Sequence, residues 1–139
     1  MSFREKSAWI AFITYTTVFG GYFFYLAQAW DDTYARGLTI GMTIGAVVVL
    51  VIVAVVLNVT LALFSPKEAN APADERETLI DLKAERISSY VQSAGVACLI
   101  GALLMGWNAI LVAVLLQASL VIAELVKSGA QIVYFRRGA

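Results

Sequence analysis

Leu38 to Phe64, LTIGMTIGAVVVLVIVAVVLNVTLALF, is the stretch that decides the fold. Inside it Ala46 to Leu57 is apolar without interruption, longer than the roughly 4–8 residues of a strand. The whole stretch exceeds the ~20 residues that carry an α-helix across a bilayer. Ser65-Pro66 then ends it, because proline lacks an amide donor and disfavours helix in the residue before it.

Composition extends the same reading to the rest of the chain. Of 139 residues, 60% are apolar and 14% charged, against roughly 45–50% and a quarter in soluble chains. A soluble domain this small must keep much of its surface polar, and these residues cannot supply that surface. Lipid is the expected solvent.

Working outward, about 8–27 forms a first apolar stretch after Arg4 and Lys6, ending near the interface-suited Trp30. Ala27-Gln28-Ala29 offers the alternative of a signal-peptide cleavage box. The stretch is longer and more aromatic than a usual signal core, so a retained span is expected. Two further spans follow at about 91–106 and 109–135, separated by a tight turn at Gly106-Trp107-Asn108. Residues 65–90 form a polar linker and a helix that Asp74 can cap, with Glu75 and Glu77 favourably placed in its first turn. The expected fold is an all-α membrane protein: one domain over 1–139, four transmembrane helices, and a cytoplasmic amphipathic helix leading into the third.

Basic residues orient the spans. With both termini and the middle loop in the cytoplasm, Arg4, Lys6, Lys67, Arg76, Lys83, Arg86, Arg136 and Arg137 lie inside. Arg36 alone lies outside, beside Asp31 and Asp32, and Lys127 falls near the inner end of the fourth span.

Several chemistries drop out at once. Net charge is zero, so no whole-chain basic signal points to nucleic acid. The chain has no histidine and one cysteine, Cys98, which removes histidine acid–base catalysis, histidine metal sites, paired-cysteine metal sites and an internal disulfide. No catalytic constellation, metal site or cofactor is expected.

Small residues mark where helices approach closely in lipid. Gly37, Gly41 and Gly45 recur every four residues on the second span, and Ala94, Cys98, Ala102 and Gly106 on the third. They suit packing within the bundle; the glycine face also suits a homodimer seam.

On the fourth span Gln117, Glu124 and Gln131 recur every seven residues, with Lys127 and Ser128 close to the same face. A carboxylate inside a spanning helix needs a partner or a wet interior. Glu124 falls about 22 Å from the outer turn at 1.5 Å per residue, and Asn58 reaches a similar depth. Three readings stay open: Glu124 and Lys127 neutralise each other, Glu124 handles protons or cations, or the stripe meets another membrane subunit. Thr14, Thr16 and Thr17 around Tyr15 are expected to bond their own helix backbone.

In the polar helix, Asp74, Glu77, Asp81 and Glu85 fall on one stripe at about 100° per residue. Leu79, Ile80, Ile87 and Tyr90 share the opposite face with Arg76, Lys83 and Arg86. That face suits the lipid boundary, with the acids toward the cytoplasm. A plain connecting helix, or an acidic docking surface carrying Asp81 and Glu85, are the alternatives.

Asp74-Glu-Arg-Glu, Ile80-Asp81, Lys83-Ala84, Arg86-Ile87, Tyr90 and then Ala123-Glu-Leu-Val-Lys127, Gln131 and Tyr134-Phe-Arg-Arg-Gly138 resemble a family of uncharacterised four-helix bacterial inner-membrane proteins. The resemblance implies a prokaryotic plasma-membrane location and relatives that occur beside helix-turn-helix regulators. The leading functional expectation is a non-enzymatic membrane scaffold or accessory subunit, partnered by lipid and by its own copies or another membrane protein. The alternative is a small oligomeric transport or ion-handling protein built on Glu124. A lipid-modifying enzyme ranks third.

Overall fold

The computed structural model describes residues 3–28, 35–64, 66 and 74–137, with 35–38 in backbone only. Trp30, Asp31, Asp32 and Lys67, and the side chains of Arg36 and Gly37, lie outside that description. Among the described residues there are four long helices: α1 (Phe3–Gln28), α2 (Ala35–Phe64), α3 (Glu75–Leu104) and α4 (Ala109–Arg137). Each is long and apolar enough to cross a membrane, and no strand occurs among the described residues. They fall into two compact units, Met1–Ala71 and Pro72–Ala139.

The first unit pairs α1 with α2. Ser7 Oγ donates to Asn58 Oδ1 at 2.8 Å, and Tyr22 and Thr43 share a hydroxyl hydrogen bond at 2.9 Å. Both pairs keep one antiparallel register, since the same advance along α1 is matched by a retreat along α2. Ala8, Thr14, Phe19, Tyr22 and Leu26 are buried. Phe19 stacks on Tyr15 at 6.2 Å and meets Tyr22 edge-on at 6.0 Å. Thr16 and Thr17 donate to the carbonyls of Phe12 and Ile13, as expected of threonine with no better acceptor in reach, whereas the buried Thr14 hydroxyl makes no such back-bond. By contrast α2 leaves Val48, Val51, Ile52, Val55 and Val56 exposed.

The second unit is the α3–α4 hairpin, and its ends are set locally. Asp74 begins α3, its Oδ1 accepting from the Glu75 amide at 2.8 Å. At the far end Gly106 has φ +86°. The Gly106 amide reaches Leu103 O and the Trp107 amide reaches Ala102 O, both at 3.1 Å. This is a Schellman close, which needs the left-handed conformation that glycine adopts without a Cβ clash. Asn108 Oδ1 then accepts from the Ile110 amide at 2.9 Å and caps α4. Helix capped into turn capped into helix folds the chain back on itself within four residues, Met105 to Asn108.

As expected, the polar helix leads directly into the third apolar stretch, for α3 runs unbroken from Glu75 to Leu104 with α4 along it. One expectation about this unit changes. Asp81 and Glu85 do not turn away from protein, since each bonds a side chain of α4, and Ile80 and Ala84, 1% and 0% exposed, are buried beside them.

Candidate functional site

Five polar side chains of the second unit, Asp81, Glu85, Ser88, Lys127 and Gln131, meet in one seam between α3 and α4. Lys127 Nζ is ion-paired with Glu85. One turn further from the loop, Gln131 Nε2 donates to Asp81 Oδ1 at 2.9 Å. One turn nearer the loop, the buried Ser88 hydroxyl donates to the Ala123 carbonyl at 2.8 Å. Nearer still, a Cβ placed on Gly95 would lie 2.9 Å from Ser119 Cβ, so the absence of a side chain is what lets the helices approach there. Four steps along α3 are met by four steps back along α4, a register fixed by the turn.

The seam is mixed in polarity because of spacing. Residues 84, 85, 88 and 95 lie three, four, seven and fourteen residues beyond 81, which returns them to one face of α3. Ala84 and Gly95 are small and let the backbones close, while Asp81, Glu85 and Ser88 carry the bonds.

Lys127 stands within electrostatic reach of three carboxylates, Glu85, Glu124 and Asp81. The ion pair goes to Glu85 on the other helix, not to Glu124 three residues earlier. Of the three readings of Glu124, mutual neutralisation with Lys127 does not take the form of an ion pair; Lys127 instead makes a bond that ties two helices, with Glu124 a further charge near it. Glu85 approaches the ammonium from across the seam. Glu124 itself is half-buried, and its carbonyl accepts from Ser128 Oγ at 2.9 Å.

The other expected residues are placed as follows. Gln117 is half-buried on α4. Asn58 belongs to the first unit, where it accepts from Ser7 and donates to the Ala54 carbonyl at 2.8 Å. A Cβ on Gly41 or Gly45 would meet nothing within 4 Å, so those glycines are not closing a helix contact among the described residues. On α3 Ala94 and Cys98 are exposed and Ala102 is half-buried. The close approach uses Gly95 instead, one residue round the helix from the expected face. Arg76, Lys83 and Arg86 are exposed. Lys83 Nζ stands 5.8 Å from the Tyr134 ring centre, and Arg86 Nε donates to Tyr90 Oη at 3.4 Å.

Sequence reasoning missed Ser88, the Gly95–Ser119 contact and the buried Glu5. A signal for the first two existed. Reflecting the chain about Gly106 sets Glu85 opposite Lys127 and Asp81 opposite Gln131, and places Ser88 and Gly95 in the same stripe. No comparable signal marks Glu5. Among the described residues no group of His, Cys, Asp and Glu is arranged to hold a metal ion. Comparison with protein-family models, curated proteins and solved structures gave no match.

Proposed function

We propose that the chain is a multi-pass membrane scaffold or accessory subunit of the bacterial inner membrane, with both termini cytoplasmic, acting through helix contacts. The observation that carries this reading is the α3–α4 seam. Its charged and amide groups are spent on holding two helices together, Glu85 on Lys127 and Asp81 on Gln131, instead of being arranged around a cleft. The aliphatic face that α2 leaves exposed suits lipid or another helix.

Bilayer depth agrees with this placement. With the Met105–Asn108 turn at the outer boundary, Glu85 and Lys127 both lie about 30 Å away at 1.5 Å per residue. The hydrocarbon core is about 30 Å thick, so the ion pair sits at the inner edge, where charge is tolerated. Asp81 and Gln131 then lie among the headgroups.

Purification in mild detergent tests the reading. Co-purification of further copies or of another membrane protein is expected; a strictly monomeric, partner-free chain overturns it.

One observation favours a second reading. Glu124 lies inward of the ion pair, half-buried, and is not itself ion-paired among the described residues. An oligomer that moves protons or cations would use this carboxylate. Flux in proteoliposomes that Glu124→Gln abolishes would support it, and absence of flux by the native chain removes it.

A further inference from the structure

Where α3 leaves the hydrocarbon, its outer face carries a repeating pattern that the seam does not use. Arg76, Leu79, Lys83, Arg86 and Tyr90 advance alternately by three and four residues, so they form one stripe. Every one of them is exposed, Leu79 at 55% and Tyr90 at 63%. Two acids of the same helical segment lie on the other side, Glu85 engaged by Lys127 and Asp81 by Gln131, while exposed Glu75 stands beside the stripe at its far end. Helical spacing thus sets Lys83 and Arg86 apart from Asp81 and Glu85, leaving a cationic, partly apolar outer face around them.

Depth selects two of the cations. Counting from the outer turn at 1.5 Å per residue, Arg86 lies near 28 Å and Lys83 near 33 Å, and Arg76 near 43 Å. With a core of about 30 Å and headgroup regions of roughly 5–8 Å on each side, Arg86 and Lys83 bracket the level of the inner phosphates, and Arg76 lies beyond the headgroups. Both are positioned by aromatic neighbours: Lys83 over the Tyr134 ring from α4, Arg86 against the Tyr90 hydroxyl. Just inside the core the same side of α3 is shallow, with exposed Ala94 and Ala97 beyond Ile87 and Tyr90. An acyl chain continuing from a phosphate at Lys83 and Arg86 has room to lie there.

We infer that Lys83 and Arg86, with Tyr90 and Tyr134, form a binding site for the phosphate of an anionic phospholipid of the inner leaflet. The exposed Ile87 and Tyr90, on the core side of the two cations, distinguish this occupant from a soluble phosphate, because they offer the lipid's glycerol and acyl portions an apolar surface. The inference rests on the membrane-spanning reading above and names a lipid partner for it.

The test uses the full chain purified in neutral detergent, with dioleoylphosphatidylglycerol or dioleoylphosphatidylcholine added and retained lipid counted by native mass spectrometry. The anionic lipid is expected to be retained preferentially. A basic residue near an anionic surface contributes about 1 kcal/mol, so Lys83→Gln and Arg86→Gln should each weaken retention about fivefold. Lys83→Arg should restore it, and Arg137→Gln, beyond the stripe, should leave it unchanged. Equal retention of the two lipids overturns the site, as does a loss in Arg137→Gln matching that in Arg86→Gln. Displacement of the lipid by millimolar glycerol phosphate as readily as by lipid assigns the cations to a soluble anion and overturns the lipid. A chain that stays folded and dispersed without detergent removes the membrane reading itself, an outcome separate from all of these.

Discussion

Lys127 on α4 is bound to Glu85 on α3, although Glu124 stands three residues from it on its own helix. A salt bridge within α4 would have left the two helices indifferent to each other. The bond across the seam, repeated one turn away by Gln131 and Asp81 at 2.9 Å, gives the hairpin a fixed register.

That bond predicts a measurable coupling. Both side chains are partly exposed, at 30% for Lys127 and 57% for Glu85, so screening keeps the energy small. A double-mutant cycle of Glu85→Gln and Lys127→Gln, followed by unfolding in mixed micelles, should give about 0.2–1 kcal/mol. The parallel cycle of Glu124→Gln with Lys127→Gln should give less. A larger Glu124 coupling would mean that the lysine prefers its own helix.

Gly95 sets how near the helices come. Because a Cβ there would lie 2.9 Å from Ser119 Cβ, Gly95→Ala should destabilise the hairpin by about 1–3 kcal/mol through overpacking. Adding Ser119→Gly removes the obstructing carbon and should recover part of the loss. Thermal stability of the two variants in detergent checks both halves, and no rescue in the double variant would place the strain elsewhere.

Ser88 is buried, with its hydroxyl on the Ala123 carbonyl. Ser88→Ala keeps the packing volume nearly unchanged and deletes one interhelical hydrogen bond. In a lipid or micelle setting such bonds contribute about 0.6–2 kcal/mol, and a loss within that range is expected in the same unfolding assay. Ser88→Thr, which retains the hydroxyl but adds a methyl group, should separate the bond from the space available.

The turn depends on backbone conformation more than on contacts. Gly106 has φ +86° and no atom within 4 Å of where a Cβ would lie. Gly106→Ala should therefore cost about 1–2 kcal/mol from the left-handed backbone alone. Trp107→Ala at the adjacent exposed position should change helix content little, as circular dichroism would show.

In the first unit Asn58 joins the helices through Ser7 and also bonds the Ala54 carbonyl. Ser7→Ala should leave helix α2 intact, because the local bond remains, yet loosen its pairing with α1. Faster amide exchange on α1 with unchanged exchange at Ala54 to Asn58 is the expected pattern.

Much of this could be read from the chain itself. Asp74 as a cap, the turn at Gly106-Trp107-Asn108 and the back-bonds of Thr16 and Thr17 in α1 all depend on neighbours within a few residues. The candidate site was legible only in part. Gln131, Lys127, Asp81 and Glu85 were identified as polar positions, but as members of two unrelated stripes. The face of α3 taken to be solvated turned out to hold α4, and Gly95 replaced Ala94 and Cys98 at the close approach.

The amino-acid order alone determined that there are four apolar helices, and nearly where each one starts and stops, since hydrophobic length, caps and proline act along the local backbone. Tertiary structure alone decided which side of α3 meets α4, and hence that Glu85 takes the Lys127 ammonium. Helical periodicity states which residues share a face, but the rotation of one helix about another is set by how small and large side chains distant in the chain fit together.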